Sequence, residues 1–304
     1  MRIGFAGAGN MGGAIIRGYA ASGAMAADIP GALFVYDSDT GKMSALAEEG
    51  LPVQIADSLE QLVSLCDTIA LCVKPNIMDE VLDALAAVNA GAGDKTEQGV
   101  SAPASGQDGE AGQDVTVSTP DQGGKLIISI AAGVSIGHIR GKLGALTRVV
   151  RVMPNTPAMV GEGMSAMSAS DGLSDADTGA AEKLFNAVGS AVWVPEELMD
   201  IVTGISGSSP AYAYLYIEGL IRAGVEGGLS KEDATVLAAQ STLGAAKMVL
   251  ENIGKVEPRQ LCENVCSPGG TTIEAVKVLE EAGFTETVRK AAGASAAKSK
   301  LMTR

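Results

Sequence analysis

Over the first 195 residues the apolar positions fall into two alternating textures. Short, largely apolar runs at 2–6, 33–36, 53–55, 68–73 and 126–130 alternate with stretches at 11–22, 42–49, 58–65 and 77–88 whose apolar residues recur three and four apart. The first texture predicts strands and the second amphipathic helices, so the alternation predicts a series of βαβ units. Runs such as Ile69-Ala70-Leu71-Cys72-Val73 and Leu126-Ile127-Ile128 present no polar face. Such strands belong in a parallel sheet covered by helices on both sides. Short strands at 149–153, 163–168 and 191–194 are expected to extend it.

From about residue 196 the period changes, and 197–205, 210–227, 231–252, 258–265 and 272–282 all carry apolar residues at helical spacing. The predicted fold class is therefore an α/β parallel-sheet domain over 1–195 followed by an all-α domain over 196–304. Alanine and glycine crowd the apolar stripes of 210–227 and 231–252, at positions such as Gly219, Ala223, Ala238 and Ala245. Small residues let helices approach closely, and apolar helices with too little partner surface in one chain predict an intertwined homodimer. Between 89 and 124 large apolar side chains almost vanish in favour of Gly, Ala, Ser, Gln, Asp, Thr and Pro. That segment reads as a disordered insertion that interrupts the sheet domain without marking a boundary.

Charge narrows the classes of ligand. The chain of 304 residues has 22 Lys and Arg against 36 Asp and Glu, a net charge of −14. This disfavours a broad grip on nucleic acid or anionic lipid, so an anionic ligand must be held by local devices. No run of 18 apolar residues predicts a membrane span, and the N-terminus enters a glycine loop without a cleavable signal, which leads us to expect a cytoplasmic protein. Cys66, Cys72, Cys262 and Cys266 show no dense secreted spacing, and His138, expected in an exposed helix, lies far from them in sequence; no metal site is expected.

The first candidate site is Gly7-Ala8-Gly9-Asn10-Met11-Gly12, which follows the first strand and opens the first helix. Gly7 permits a tight turn, Gly9 removes a side chain where a pyrophosphate approaches the backbone, and Gly12 lets helix and strand pack, so the context supports dinucleotide binding. At the end of the second strand stand Tyr36-Asp37-Ser38-Asp39, with Lys42 a turn later. Asp37 can accept from both ribose hydroxyls and repel a 2′-phosphate, a lean towards NADH, although Ser38 and Lys42 could still contact a phosphate and Asp37 could equally cap the next helix. Val73-Lys74-Pro75 and Ile130-Ala131-Ala132-Gly133 end the fourth and fifth strands, where open sheets bind ligands. The small residues there suit a flat nicotinamide ring, and Lys74 is either a cofactor contact or a solvated turn lysine. Met153-Pro154-Asn155-Thr156-Pro157 is a rigid loop in the same series.

The second site is Ser267-Pro268-Gly269-Gly270-Thr271-Thr272, ahead of the last periodic helix. Its backbone N–H groups and three hydroxyls would hold a small carboxylate, unless the segment is merely an N-cap with a tight turn. The loop 204–210 is expected to break one helix and start the next. No catalytic Ser–His–Asp set, carboxylate pair or phosphate-loop lysine is present, so the chemistry must come mainly from a cofactor.

Taken together these motifs resemble the Δ1-pyrroline-5-carboxylate reductases: GAGNMG at 7–12, VKP at 73–75, SIAAGVS at 129–135, MPNTPA at 153–158, SGSSPAY at 206–212 and, most specific, NVCSPGGTT at 264–272. The resemblance implies a Rossmann domain, a helical dimerisation domain, often a ring of five dimers, and NADPH- or NADH-dependent reduction of 1-pyrroline-5-carboxylate to L-proline, the last step of proline biosynthesis. It also implies that Gly7 to Gly12, Val73, Lys74, Pro75, Ala131 and Ala132 contact the cofactor. Ser267, Gly270, Thr271 and Thr272 would bind the substrate carboxylate and imine nitrogen, with Asn264 between cofactor and substrate and Thr272 as the catalytic group. The insertion at 89–124, Ser209 where the usual motif reads SGSGPA, and Asp37 are departures from the family pattern. A β-hydroxyacid dehydrogenase of similar architecture would need a lysine in the first long helix after the sheet, and 197–227 has none. A nucleotide-sensing protein without turnover would not need the loop at 267–272.

Overall fold

The computed structural model describes residues 2–23, 33–93 and 124–304. The insertion expected at 89–124 lies, from 94 to 123, outside the described residues. The chain divides into two compact units, one of Met1–Met199 with Leu301–Arg304 and the other of Asp200–Lys300.

In the first unit the strands β1 (Ile3–Ala6), β2 (Leu33–Tyr36), β3 (Gln54–Ile55), β4 (Thr68–Leu71), β5 (Leu126–Ser129), β6 (Arg148–Met153), β7 (Gly163–Ala169) and β8 (Gly189–Trp193) form one sheet. Its order is β3-β2-β1-β4-β5-β6-β7-β8. The first six pair in parallel, with Ile3 opposite both Leu33 and Thr68. Every residue of β1, β4 and β5 is buried, as strands without a polar face require. Alternate side chains feed two cores, one around Phe5, Ile15, Val35 and Phe185, the other around Leu62, Ile69, Leu71 and Ile127. The helices α1 (Asn10–Ala21), α2 (Thr40–Glu48), α3 (Leu59–Leu65) and α4 (Met78–Gly93) make the crossovers. The last extends five residues beyond the predicted end at 88 and so takes in the start of the segment expected to be disordered.

Three features correct the sequence reading. Strands β6 and β7 pair antiparallel, Val150 opposite Ala169, so the sheet is not parallel throughout. A helix α6 (Asp175–Asn186), not predicted, follows β7. Its signal is a capping box in which the Ser174 hydroxyl accepts from the Asp177 N–H while Asp177 accepts from the Ser174 N–H. The helix α5 (Ile136–Leu143) carries His138 as expected, but the imidazole is partly buried, with Nε2 2.6 Å from Asp79 Oδ1.

The second unit is helical throughout: α7 (Met199–Val202), α8 (Ser209–Glu226), α9 (Lys231–Glu251), α10 (Pro258–Asn264), α11 (Thr271–Glu281) and α12 (Phe284–Met302). The break expected at 204–210 is instead a wide helical turn over Thr203–Gly207, where the Ser208 N–H donates to Thr203 O at 2.8 Å. A Cβ on Gly204 would stand 2.4 Å from Ala292 O, so the missing side chain lets α12 cross there. Helix α12 escaped prediction because alanine, serine, glycine and lysine fill most of it. Of the two long helices of this unit, α9 buries only Ala234 and Ala238, and α8 buries no residue. Leu215, Leu237 and Leu243 are more than half exposed, at 68%, 59% and 55%.

Candidate active site

The glycine loop joins β1 to α1 in the first unit. Gly7 has φ +109°, and a Cβ there would lie 2.7 Å from Cys72 O, so glycine is what lets β1 end against β4. At Gly9, by contrast, a Cβ would meet nothing within 4 Å. Gly9 is the N-cap of α1, whose first turn has no side-chain cap and no acidic residue. An open cradle thus adjoins uncapped N–H groups at the positive end of a helix, which fits the pyrophosphate of a dinucleotide.

The sheet order reverses at β1, opening a crevice beyond the carboxyl ends of the parallel strands. Two adjoining clefts occupy it. The first, of 460 Å³, is lined by Gly7, Gly9, Asp37, Ser38, Lys42, Val73 and Lys74 among others. The second, of 560 Å³, is lined by Gly9, Asn10, Met11, Lys42, Val73, Lys74, Pro75, Ala131, Ala132, Met153 and Pro154. The structure therefore gathers every cofactor candidate here except Ala8 and Gly12, which are buried and line neither cleft. Sequence reasoning missed Leu59, Glu60, Ile77, Glu80, Val81 and Ala84, which wall the first cleft. The spacing of Ile77, Val81 and Ala84 was the available signal, and it is the same spacing that marks a core-facing helix stripe.

Asp37 is more engaged than a free ribose acceptor would be. Its Oδ2 accepts from the Ala8 N–H at 2.8 Å and its Oδ1 from the Asp39 N–H at 2.9 Å and from Lys42 Nζ at 3.4 Å. Burial alone would raise its pKa, but the two N–H donors and the Lys42 charge outweigh it and hold the carboxyl below its ordinary value. The cap of α2 is Asp39, not Asp37, its side chain accepting from the Gly41 N–H. Asn155 is buried, and its Oδ1 accepts from the Met164 N–H at 2.8 Å, so its carbonyl oxygen secures the approach to β7.

In the second unit, Ser267 to Gly270 form a tight turn: the Gly270 N–H donates to Ser267 O at 2.9 Å and Gly269 has φ +72°. A Cβ on Gly270 would stand 2.5 Å from Ser267 Oγ, so glycine leaves that hydroxyl its place over the turn. Gly270 is the N-cap of α11 and makes no side-chain cap, which puts Thr271 and Thr272 at the first and second helical positions. Among the described residues the Ser267, Thr271 and Thr272 hydroxyls have no hydrogen-bond partner. The turn is braced by Arg259 of α10, whose guanidinium lies 2.5 Å from Glu280 of α11. Asn264 ends α10, its Oδ1 accepting from Gln260 Nε2 at 3.1 Å. The candidates thus form two groups, each assembled within its own unit.

Residues 196–302 match the family model for pyrroline-5-carboxylate reductase dimerisation, and residues 2–93 match that for NADP oxidoreductase coenzyme F420-dependent. The pyrroline-5-carboxylate reductase of Escherichia coli is 37% identical over 290 residues, covering 95% of this chain and 94% of the relative. That of Methanosarcina acetivorans is 38% identical over 283 residues, covering 93% and 91%. Among solved structures, a pyrroline-5-carboxylate reductase from Coxiella burnetii superposes with a TM-score of 0.80 at 32% identity, covering 100% of this chain and 98% of that one. The Plasmodium falciparum pyrroline carboxylate reductase with NADP bound gives 0.77 at 32% identity, with the same coverage. No helix among the described residues is long and apolar enough to cross a membrane.

Proposed function

Because the chain belongs to the pyrroline-5-carboxylate reductase family, we propose that it reduces 1-pyrroline-5-carboxylate to L-proline with NADPH or NADH. The observation that carries this reading is the start of α11, an uncapped helix N-terminus flanked by the hydroxyls of Ser267, Thr271 and Thr272, which have no partner among the described residues. In a chain of net charge −14 such a local cluster of donors is what a small carboxylate needs.

In this reading Gly7 to Gly12, Val73, Lys74, Pro75, Ala131 and Ala132 hold the cofactor, with the Gly9 cradle and the uncapped turn of α1 receiving its pyrophosphate. When bound, the nicotinamide supplies the hydride that reaches C5 of the cyclic imine. Ser267, Thr271 and the N–H groups after Gly270 fix the substrate carboxylate, and Asn264 stands beside them. Thr272 directs its hydroxyl to the ring nitrogen. A hydroxyl is a poor acid, so Thr272 orients that nitrogen first and donates a proton second; fixed orientation and anchoring of the carboxylate supply most of the acceleration.

Asp37 and Ser38 bear on the choice of cofactor. The negative charge of Asp37 favours NADH, and Lys42, 3.4 Å from the same carboxylate, keeps the preference modest. The exposed apolar faces of α8 and α9 support a homodimer; the ring of such dimers and the cytoplasmic setting follow from the family resemblance. The test is steady-state oxidation of NADH and of NADPH, followed by absorbance, with the imine as substrate. We expect turnover with both; no imine-dependent oxidation of either would overturn the reading.

A further inference from the structure

Arg304 reaches both loops that wall the second cleft. Its N–H donates to Gly133 O at 3.0 Å, and its carbonyl oxygen accepts from the Ser135 N–H at 3.1 Å, a two-bond bridge to the loop that follows Ala131 and Ala132. Its guanidinium donates to Pro75 O and lies 2.8 Å from Asp79 Oδ2. Asp79, in the first turn of α4, is in turn 2.6 Å from His138 Nε2 on α5 through its other oxygen. All of these residues belong to the first unit.

The backbone at Gly133 is built for this approach. It has φ +73°, and a Cβ there would lie 2.9 Å from Met302 O, so any side chain would push residues 302–304 away. The ladder between β4 and β5 ends with the Ile130 N–H donating to Leu71 O at 3.2 Å. Beyond that bond the loop carrying Val73, Lys74 and Pro75 and the loop carrying Ala131 and Ala132 leave the sheet, and Arg304 bridges them.

We propose that Arg304 is a positioning residue for the nicotinamide cofactor, clamping Pro75 to the Ala131–Ala132–Gly133 loop and so setting the width of the cleft between them. The inference rests on the reading of that cleft as the cofactor site. Exposed ion pairs contribute little to folding, and Arg304 and Asp79 are each 38% exposed, so the clamp acts on the spacing of two loops far more than on global stability. A flat ring held between two loops is sensitive to small changes in their separation.

The test is direct titration of NADPH and NADH by calorimetry on the whole chain, together with kinetics and thermal melts, for wild type, Arg304→Ala, Arg304→Lys and Asp79→Asn. We expect Arg304→Ala to raise Kd and KM for the cofactor about 10-fold, with kcat at saturating cofactor and the imine KM within about 2-fold and an unchanged melt. Arg304→Lys loses the planar fork that spans Pro75 O and Asp79, and Asp79→Asn loses the ionic arm, together with the carboxylate beside His138, while leaving the bond to Pro75 O. Both should fall between wild type and Arg304→Ala. Cofactor Kd unchanged in Arg304→Ala would overturn the clamp. So would affinity that falls only in step with a lowered melt across the three variants. Failure of the wild-type chain to bind either nucleotide would instead strike at the site itself, which separates the two readings.

Discussion

Thr272 occupies the second position of α11, behind a glycine cap that uses no side chain, so its hydroxyl is not holding the helix start. Thr272→Val keeps the β-branched shape and should leave the melting temperature where it was. Loss of a hydrogen bond made in the transition state should lower kcat/KM by about 30- to 1,000-fold, or ~2 to 4 kcal/mol. Steady-state kinetics beside a thermal melt check this; normal kinetics would remove Thr272 from the reaction. Asp37 is a harder residue because it has two tasks. Its charge opposes a 2′-phosphate, while its Oδ2 holds the Ala8 N–H of the glycine loop. Asp37→Ser should therefore weaken both cofactors while shifting the ratio of kcat/KM values towards NADPH by about 10-fold or more, from the ~1 to 3 kcal/mol of repulsion relieved. A ratio that stays put while both affinities fall would leave Asp37 with the loop alone.

Among the elements, α6 is fastened at its start. Arg148 of β6 lies 2.8 Å from Asp177, which also closes the capping box with Ser174. Burial works to raise the Asp177 pKa, but the Ser174 N–H and hydroxyl and the Arg148 charge lower it below its ordinary value. A depressed carboxyl contributes stability above its unfolded pKa of ~3.9 and loses it as pH falls through the folded value. Asp177→Asn should thus cost about 1 to 2 kcal/mol near neutrality, and the gap from wild type should close in acid below the ordinary carboxylate range. Thermal melts as a function of pH measure it; a gap independent of pH would mean that the charge is irrelevant. The strands were legible because Ile69 to Leu71 and Leu126 to Ile128 show no polar face. The reversal of β7 was not, because alternation of side chains is the same in either direction. Helices α6 and α12 were missed because their short side chains give little periodic contrast, and the Ser174–Asp177 cap was the cue overlooked. At the sites, both glycine turns could be read from their neighbours in the chain. The engagement of Asp37 could not, since Ala8 is 29 residues away.

For the molecule as a whole, α8 and α9 expose the apolar faces that the sequence marked as excess. Leu243→Glu, at a position 55% exposed within the chain, should cost the monomer little and a dimer much. Sedimentation should then show wild type as a dimer or larger and the variant dissociated; a variant of unchanged mass would place the interface elsewhere. The antiparallel pairing of β6 with β7 has a consequence in time. These strands are joined through the short connection 154–162, whereas β1 must find β4 across more than sixty residues, Ile3 pairing with Thr68. Closing the shorter loop costs less entropy, so nucleation is expected at the β6–β7 hairpin, with the ends of β1 and β4 joining later. The nucleotide crevice would then be absent from the folding transition state. Added cofactor should accordingly slow unfolding in stopped-flow denaturant jumps and leave the refolding rate unchanged, so that its protection is kinetic in one direction only.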